Sequence, residues 1–416
     1  MFAAHVASMT GFAAFPALLL PLQAEWNLDN TQAGWIGGIY FAGYVLAVAI
    51  IVPWTDRIDS RRIYLACLML SAIGLTGFAM LADGFWSAMT WNAIQGAGVG
   101  GTYMTGLKVL TDRLPSPLPS RGIAIYTAGF SVGVGTSFAM NGVIGALLGW
   151  PWAFGIAALG PLAAAFIVGV CISKRATLPE ERPPTRAFDF RPVLRNRRAM
   201  GYVLGYAGHS WELFALRGWI VAFLVFAGEK SGGAANAEAA LIAAVANLAA
   251  VAASLIGNEL CELYGRRRIT RIAMLASFAV ALLIGISPGL PFPVVVILFF
   301  VYSGLVMGDS GSLTAGATQS AAPGYRGHTL AVHSLFGFAA GFLGPLQGHP
   351  QGTGLFRVGG VHGRKGPIRL GLGGEALDVA ESASREGGRH AHREPRVQLR
   401  RRQGHGGLGG RRPAHL

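Results

Sequence analysis

The chain has 416 residues, with 34 Lys+Arg against 20 Asp+Glu and a formal net charge of +14. Apolar residues make up 52% and charged ones only 13%, too little charge to cover a water-soluble surface, and three Cys exclude a disulfide scaffold. A polytopic membrane protein is what remains, provided the apolar residues come in long runs.

In chain order, residues 1–24, 30–55, 63–82, 84–107, 122–173, 239–258 and 272–308 hold no Lys, Arg, Asp or Glu. A membrane-crossing helix needs about 20 mostly apolar residues, and barrel strands would be half that length with alternating polarity. The stretch 122–173 divides at Gly149-Trp150-Pro151, and 272–308 divides at Pro288, Pro291 and Pro293. With 199–227 and the run after Arg326, eleven spans are predicted, the last incomplete. The predicted class is therefore an all-α polytopic membrane protein. A cleaved leader is not expected, because residues 1–22 lack a basic start and run straight into the spans.

The loops give an orientation. If the first span begins in the cytoplasm, the cytoplasmic loops 54–62, 111–121, 173–198, 258–271 and 319–327 together hold 18 Lys/Arg. The loops on the other side hold one, Lys230. Basic residues collect on the cytoplasmic side, so a cytoplasmic N-terminus in the cell (plasma or inner) membrane is predicted. The loop 173–198, the longest and most basic, follows the sixth span and reads as a linker between an N-terminal half, 1–172, and a C-terminal half, 199–346.

The two halves repeat. Asp56-Arg57-Ile58-Asp59-Ser60-Arg61-Arg62 follows the second span, and Glu262-Leu263-Tyr264-Gly265-Arg266-Arg267-Arg268 follows the eighth. Asp56 and Glu262 lie 206 apart, and Arg121-Gly122 and Arg326-Gly327 lie 205 apart. Two landmarks at one offset indicate an internal duplication, as in transporters built from two similar halves.

These residues resemble the major facilitator superfamily, whose hallmark is an acid-x-x-Gly-Arg-Arg loop after the second span. Asp56, Arg57, Arg61 and Arg62 match it, with Asp59 in place of the usual Gly and Val52 in place of the leading Gly. The second copy keeps Glu262, Gly265, Arg266 and Arg267. The fourth span carries Gln95-Gly96-Ala97-Gly98, like the family's Arg-x-x-Gln-Gly, with Asn92 at the Arg position. The fifth span has Met140-Asn141-Gly142 where drug/proton antiporters have Gly-Pro. The resemblance covers residues 1 to about 346 and implies two pseudo-repeated six-helix halves that transport by alternating access, with the loop motif as a cytoplasmic gate. A carboxylate held near Arg groups could latch one arrangement of the halves.

The seventh span sets His209, Glu212 and Arg217 in an otherwise apolar helix. An ionisable group at the bilayer centre costs at least about 2.5–3.5 kcal/mol, so it is normally functional or paired. His209 and Glu212 are three apart and share a face; they are expected to handle a proton, while Arg217, on another face, meets an anionic group. His5 lies 204 before His209 and is its candidate counterpart in the first half. Asp309 in the tenth span has no charged neighbour in its own segment and is a candidate coupling residue. Lys108 reads as snorkelling, Tyr40, Tyr103 and His333 as weaker candidates, and Asn141 and Asn247 as interhelical hydrogen-bond glue. No phosphate-binding loop, Cys-x-x-Cys or His-Glu-x-x-His motif is present, so neither enzyme activity, cofactor nor metal is expected.

Residues 347–416 differ in composition, with 17 Gly, 13 Lys/Arg and 6 His. Phe356 is the only aromatic residue there, which leaves little platform for base stacking, and no nucleic-acid partner is expected. The twelfth span that the duplication calls for is missing, and the tail reads as truncated or out of frame. The function expected is a monomeric secondary transporter in the lipid bilayer, taking up a small anionic solute with protons. The alternatives are proton-driven efflux, or a membrane sensor that does not transport.

Overall fold

The computed structural model describes residues 1–51, 58–111, 113, 120–174, 190–231, 235–322 and 325–347. Among them the regular structure is helical. The first span is three short helices, α1 (Phe2–Ser8), α2 (Ala14–Ala17) and α3 (Leu19–Trp26). It is followed by α4 (Asn30–Ile51), α5 (Ser60–Leu81), α6 (Phe85–Thr111), α7 (Ser120–Leu148) and α8 (Trp150–Cys171). A short α9 (Arg191–Arg195) leads into α10 (Arg197–Ser231), α11 (Asn236–Tyr264) and α12 (Arg266–Ile286). The tenth span is split into α13 (Phe292–Gly308) and α14 (Ser310–Gln319), and α15 (Arg326–Leu343) is the eleventh. Eight of these helices are long and apolar enough to cross a membrane. Large apolar side chains such as Met80, Phe166 and Ile286 face outward, as expected of a surface solvated by lipid. Trp86 and Trp152 are exposed at the starts of α6 and α8, at the end away from the basic loops, where amphipathic rings anchor at a membrane interface.

The proline and glycine punctuation acts where it was expected. Gly149 takes φ 88° between α7 and α8, a conformation that L side chains avoid, and Pro151 falls in the first turn of α8. A 3₁₀ turn at Ser287–Gly289 and Pro291 separate α12 from α13. Gly265, at φ 91°, turns α11 into α12.

The first span departs from the single helix expected of residues 1–24. Its chain opens between Ser8 and Ala14, and side chains of two other helices, α6 and α7, satisfy the freed backbone. Ser137 accepts from Ala13 N (2.9 Å) and donates to Thr10 O (2.6 Å). Asn141 Nδ2 donates to Thr10 O (2.8 Å), Gln95 Nε2 to Gly11 O (2.7 Å), and Thr10 Oγ1 to Ala157 O (2.7 Å). Non-helical backbone at membrane depth persists only where protein satisfies it in this way. Asn141 is the interhelical glue foreseen, and Gln95 of the Gln-Gly motif joins it.

Within the first half α5 packs on α6 and α8, and α4 on α6; within the second, α10 packs on α15 and α14, and α11 on α13. The two largest contacts between the halves are α4 with α15 and α7 with α11, and α2 also touches α10 and α11. The 206-residue offset carries α4 onto α11 and α7 onto α15, so the duplication exchanges these two contacts. The bundle is thus two pseudo-repeated helical halves. Gly142 on α7 packs directly on Ala240, and Gly135 lies over Ala244 and Leu248 of α11. Gly38 of α4 lies under Phe342, whose helix end is tied to α10 within the second half by Trp219 Nε1 donating to Pro345 O (2.8 Å). Asn236 Nδ2 reaches Ala17 O (2.9 Å). These crossings fall between mid-depth and the end away from the basic loops, and there the halves are closed. The linker residues 175–189 and residues 348–416 with the expected tail lie outside the described residues.

Candidate solute and proton site

The buried ionisable groups of the second half meet around α10. His209 Nδ1 lies 2.7 Å from Asp309 Oδ1, with both side chains almost fully buried. Asp309 sits at the break in the tenth span, closing α13 and opening α14. A carboxylate there faces the positive end of the α14 backbone dipole. Gly257 lets α11 approach the Gly308 carbonyl at this break, and any side chain at position 257 would collide with it.

Glu212, one turn beyond His209, is half-buried; its Oε2 accepts from Ser277 Oγ (3.3 Å), and Tyr302 lies nearby. On the other side of His209, Tyr206 stacks against it with ring centroids 5.6 Å apart. Tyr206 also stacks on His333 at 3.9 Å, and His333 Nε2 meets Thr314 Oγ1 at 3.2 Å. The result is a connected polar strip, His333–Tyr206–His209–Asp309 with Glu212 beside it, drawn from α10, α12, α13, α14 and α15.

Arg217 lies apart from these acids. Its Nε donates to Asn247 Oδ1 on α11 at 3.0 Å. Asn247 spends its own NH₂ on Ala243 O (2.9 Å), which leaves only the amide oxygen for the guanidinium. The cation sits 5.7 Å from the Phe130 ring and 5.9 Å from that of Phe214, within cation–π range. Arg217 is 5% exposed, and no carboxylate pairs with it among the described residues. It lines a cavity between the halves, to which Phe12, Tyr40, Phe41 and Phe138 contribute from the first half and Phe214 and Trp219 from the second.

Of the residues singled out in the sequence, His209, Glu212 and Asp309 are brought together, and Arg217 points to a separate cavity. His5 is fully buried, with both ring nitrogens lacking a hydrogen-bond partner, in a box formed by Tyr126 (4.5 Å), Tyr103 (5.5 Å) and Phe130 (6.4 Å). The offset places Tyr103 where the second half has Asp309, so the two histidines have corresponding neighbours of different chemistry. Ser277, Tyr302 and Tyr206 carried no signal of their own in sequence, since a hydroxyl in an apolar run reads as packing.

In the loops at the basic end, Asp56 and Arg57 lie outside the described residues. Asp59 is the N-cap of α5 and pairs with Arg113 (3.2 Å), while Arg61 Nη2 donates to Gly169 O (2.8 Å). In the second copy Arg266 pairs with Glu262 and reaches Gln319 (2.9 Å). The described members of each motif therefore pair within their own half.

A helical bundle of two repeated halves, with a polar strip and a cationic cavity among its helices, defines a polytopic membrane protein. The family model described as Major Facilitator Superfamily matches residues 1–345, and the chain belongs to that family. It is similar to a D-xylose transporter of Levilactobacillus brevis, 27% identical over 37% of this chain and 34% of the relative. A benzoate transport protein of Acinetobacter baylyi is 23% identical over 33% of this chain and 30% of the relative. These matched stretches span about a third of the length of either relative. The MFS-type transporter YcaD of Salmonella enteritidis is 25% identical over 65% of this chain and 69% of that protein. Among solved structures, a bacterial homologue of the human lysosomal transporter Spinster, described as inward-facing and unoccupied, superposes with a TM-score of 0.71. It has 18% identity and covers 83% of this chain and 80% of that one.

Proposed function

We propose that the protein is a secondary transporter that takes up a small anionic solute together with protons by alternating access, as a monomer, with its N-terminus and basic loops in the cytoplasm. The observation that carries this reading is the division of labour on α10. The groups that can exchange a proton, His209, Asp309 and Glu212, form one strip, while Arg217, without a carboxylate partner among the described residues, faces a cavity between the halves. A buried cation in a membrane protein is costly unless something answers its charge, and an anionic solute would do so during each cycle.

In this reading, protonation of Asp309 or Glu212 removes negative charge from beside His209 and loosens a contact between the core of α10 and the break at α13–α14. Such a change can bias a two-state equilibrium only through different contacts in the two states, and the broken spans α1–α3 and α13–α14 are the elements able to make them. The relatives are named for solutes as different as D-xylose, benzoate and niacin, so shared ancestry supports transport and leaves the cargo to the site. The test is uptake of radiolabelled organic anions into proteoliposomes under an imposed inward proton gradient. Accumulation that a protonophore abolishes is expected. Uptake that runs equally well with no gradient would overturn the coupling.

A further inference from the structure

We infer that Arg217 is the carboxylate-binding end of a site for a flat, apolar monocarboxylate of the benzoate type, held between the two halves. This rests on the proposed anionic cargo and narrows it.

Polar capacity in the cavity is scarce, and its kind is specific. Four lining residues carry side-chain nitrogen or hydroxyl donors: Tyr40, Asn92, Arg217 and Trp219. Trp219 spends its indole N–H on Pro345 O, and Asn92 spends Nδ2 on Ile36 O (2.6 Å). What remains for a solute is the second amide N–H and the oxygen of Asn92, and two stronger donors, the guanidinium end of Arg217 and the Tyr40 hydroxyl, which is buried with no hydrogen-bond partner. A carboxylate accepts from such groups, with the planar fork of Arg matching its two oxygens. A hydroxyl-rich solute would instead leave most of its own hydroxyls unpaired, at a cost for each.

Charge sets the valence. Arg217 is the one cation among the lining residues, so a second carboxylate or a phosphate dianion would enter without a counter-charge.

Of the other lining residues Phe12, Phe15, Phe41, Phe138 and Phe214 are aromatic, set among small and aliphatic ones. Phe41 and Phe214 approach to 4.3 Å across the halves, and Phe12 stands edge-on to Tyr40 at 5.5 Å and to Phe130 at 5.2 Å. Ring faces and edges of this kind prefer a flat aromatic body over a bulky saturated one. Because rings from both halves contribute, the solute would touch both at once, which a transported cargo must do to report its presence to the whole molecule.

The experiment is equilibrium binding of radiolabelled benzoate to the full chain in detergent, competed with benzamide, cyclohexanecarboxylate, phthalate and D-xylose. Benzoate should bind saturably. Benzamide and phthalate should compete at least ~10-fold more weakly, and cyclohexanecarboxylate roughly 3–10-fold more weakly. Arg217→Lys should weaken benzoate binding by ~10-fold or more, and Tyr40→Phe by roughly 3–10-fold, with the melting temperature of each variant confirming a folded chain. If cyclohexanecarboxylate competes as well as benzoate, the flat-body assignment falls and the anionic cargo stands. If benzamide or D-xylose displaces the label as well as benzoate does, or Arg217→Lys binds unchanged, Arg217 is not the anchor. If a chain with a normal melting curve binds no carboxylate, the anionic reading falls as well.

Discussion

Asp309 and His209 are 100 residues apart in sequence and 2.7 Å apart in the bundle, and loss of either partner strands the other. Asp309→Asn should therefore lower proton-driven accumulation by ~10-fold or more, since the amide cannot take up a proton and no longer answers an imidazolium. Exchange of labelled for unlabelled solute, which needs no net proton movement, should stay within ~3-fold of the parent. Glu212→Gln should behave likewise but more mildly, because Ser277 hydrogen-bonds that carboxylate and can hold an amide in its place. Measuring accumulation and exchange on the same vesicles separates coupling from binding; exchange lost in step with accumulation would place these acids in the solute site instead. The membrane acids and histidines themselves were legible in the sequence because charge in an apolar span stands out against its surroundings. Their pairing was not, since nothing near Asp309 in the chain names a partner on α10. Asn247 shows the same limit: an Asn in an alanine-rich helix looks like glue until Arg217 is found beside it.

At the scale of elements, runs without charge and Pro/Gly punctuation located the spans well, because exclusion of charge from hydrocarbon and the loss of helical geometry at Gly149 and Pro291 are local properties. The opening of the first span was not read from them, although Gly11 and Pro16 lie within it. Whether such residues break a helix depends on what satisfies the freed backbone, and here that is Ser137, Asn141, Gln95 and Thr10, three of them over 80 residues away in sequence. Ser137 serves two backbone groups at once, accepting from Ala13 N and donating to Thr10 O. Ser137→Ala should cost about 1–3 kcal/mol per group left unsatisfied, offset in part because Asn141 still reaches Thr10 O. The measured outcome is a melting temperature in detergent several degrees below that of the parent, whereas Thr136→Ala at the exposed neighbouring position should leave it unchanged. Equal melting of the two variants would mean that the opening is held by packing alone.

For the whole molecule, the loop motifs and the crossing contacts sit at opposite ends, and the proposed cycle needs both ends to open and close in turn. The described loop residues pair within their own halves, and a latch between the halves would need them to exchange partners. Asp56→Asn keeps every Arg that sets topology, so it should leave membrane insertion intact and cut transport by ~10-fold or more; normal transport would reduce the motif to a topological signal. The closed end allows the more direct test. Gly142 of α7 packs so closely on Ala240 of α11 that a Cβ at 142 would lie 2.3 Å from that of Ala240, so cysteines at these positions come within disulfide range once the two helices give by about 1–2 Å. In a chain whose Cys67, Cys171 and Cys261 are replaced by Ser, the pair Gly142→Cys and Ala240→Cys should cross-link on oxidation and fasten the two halves at the end away from the basic loops. Solute could then still reach the cavity from the basic side but never leave by the other. Transport should fall by ~10-fold or more in step with the cross-linked fraction and return on reduction, while benzoate binding from the basic side survives. Transport that continues through a fully cross-linked population would mean that the halves do not part at this interface, and alternating access through it would be wrong.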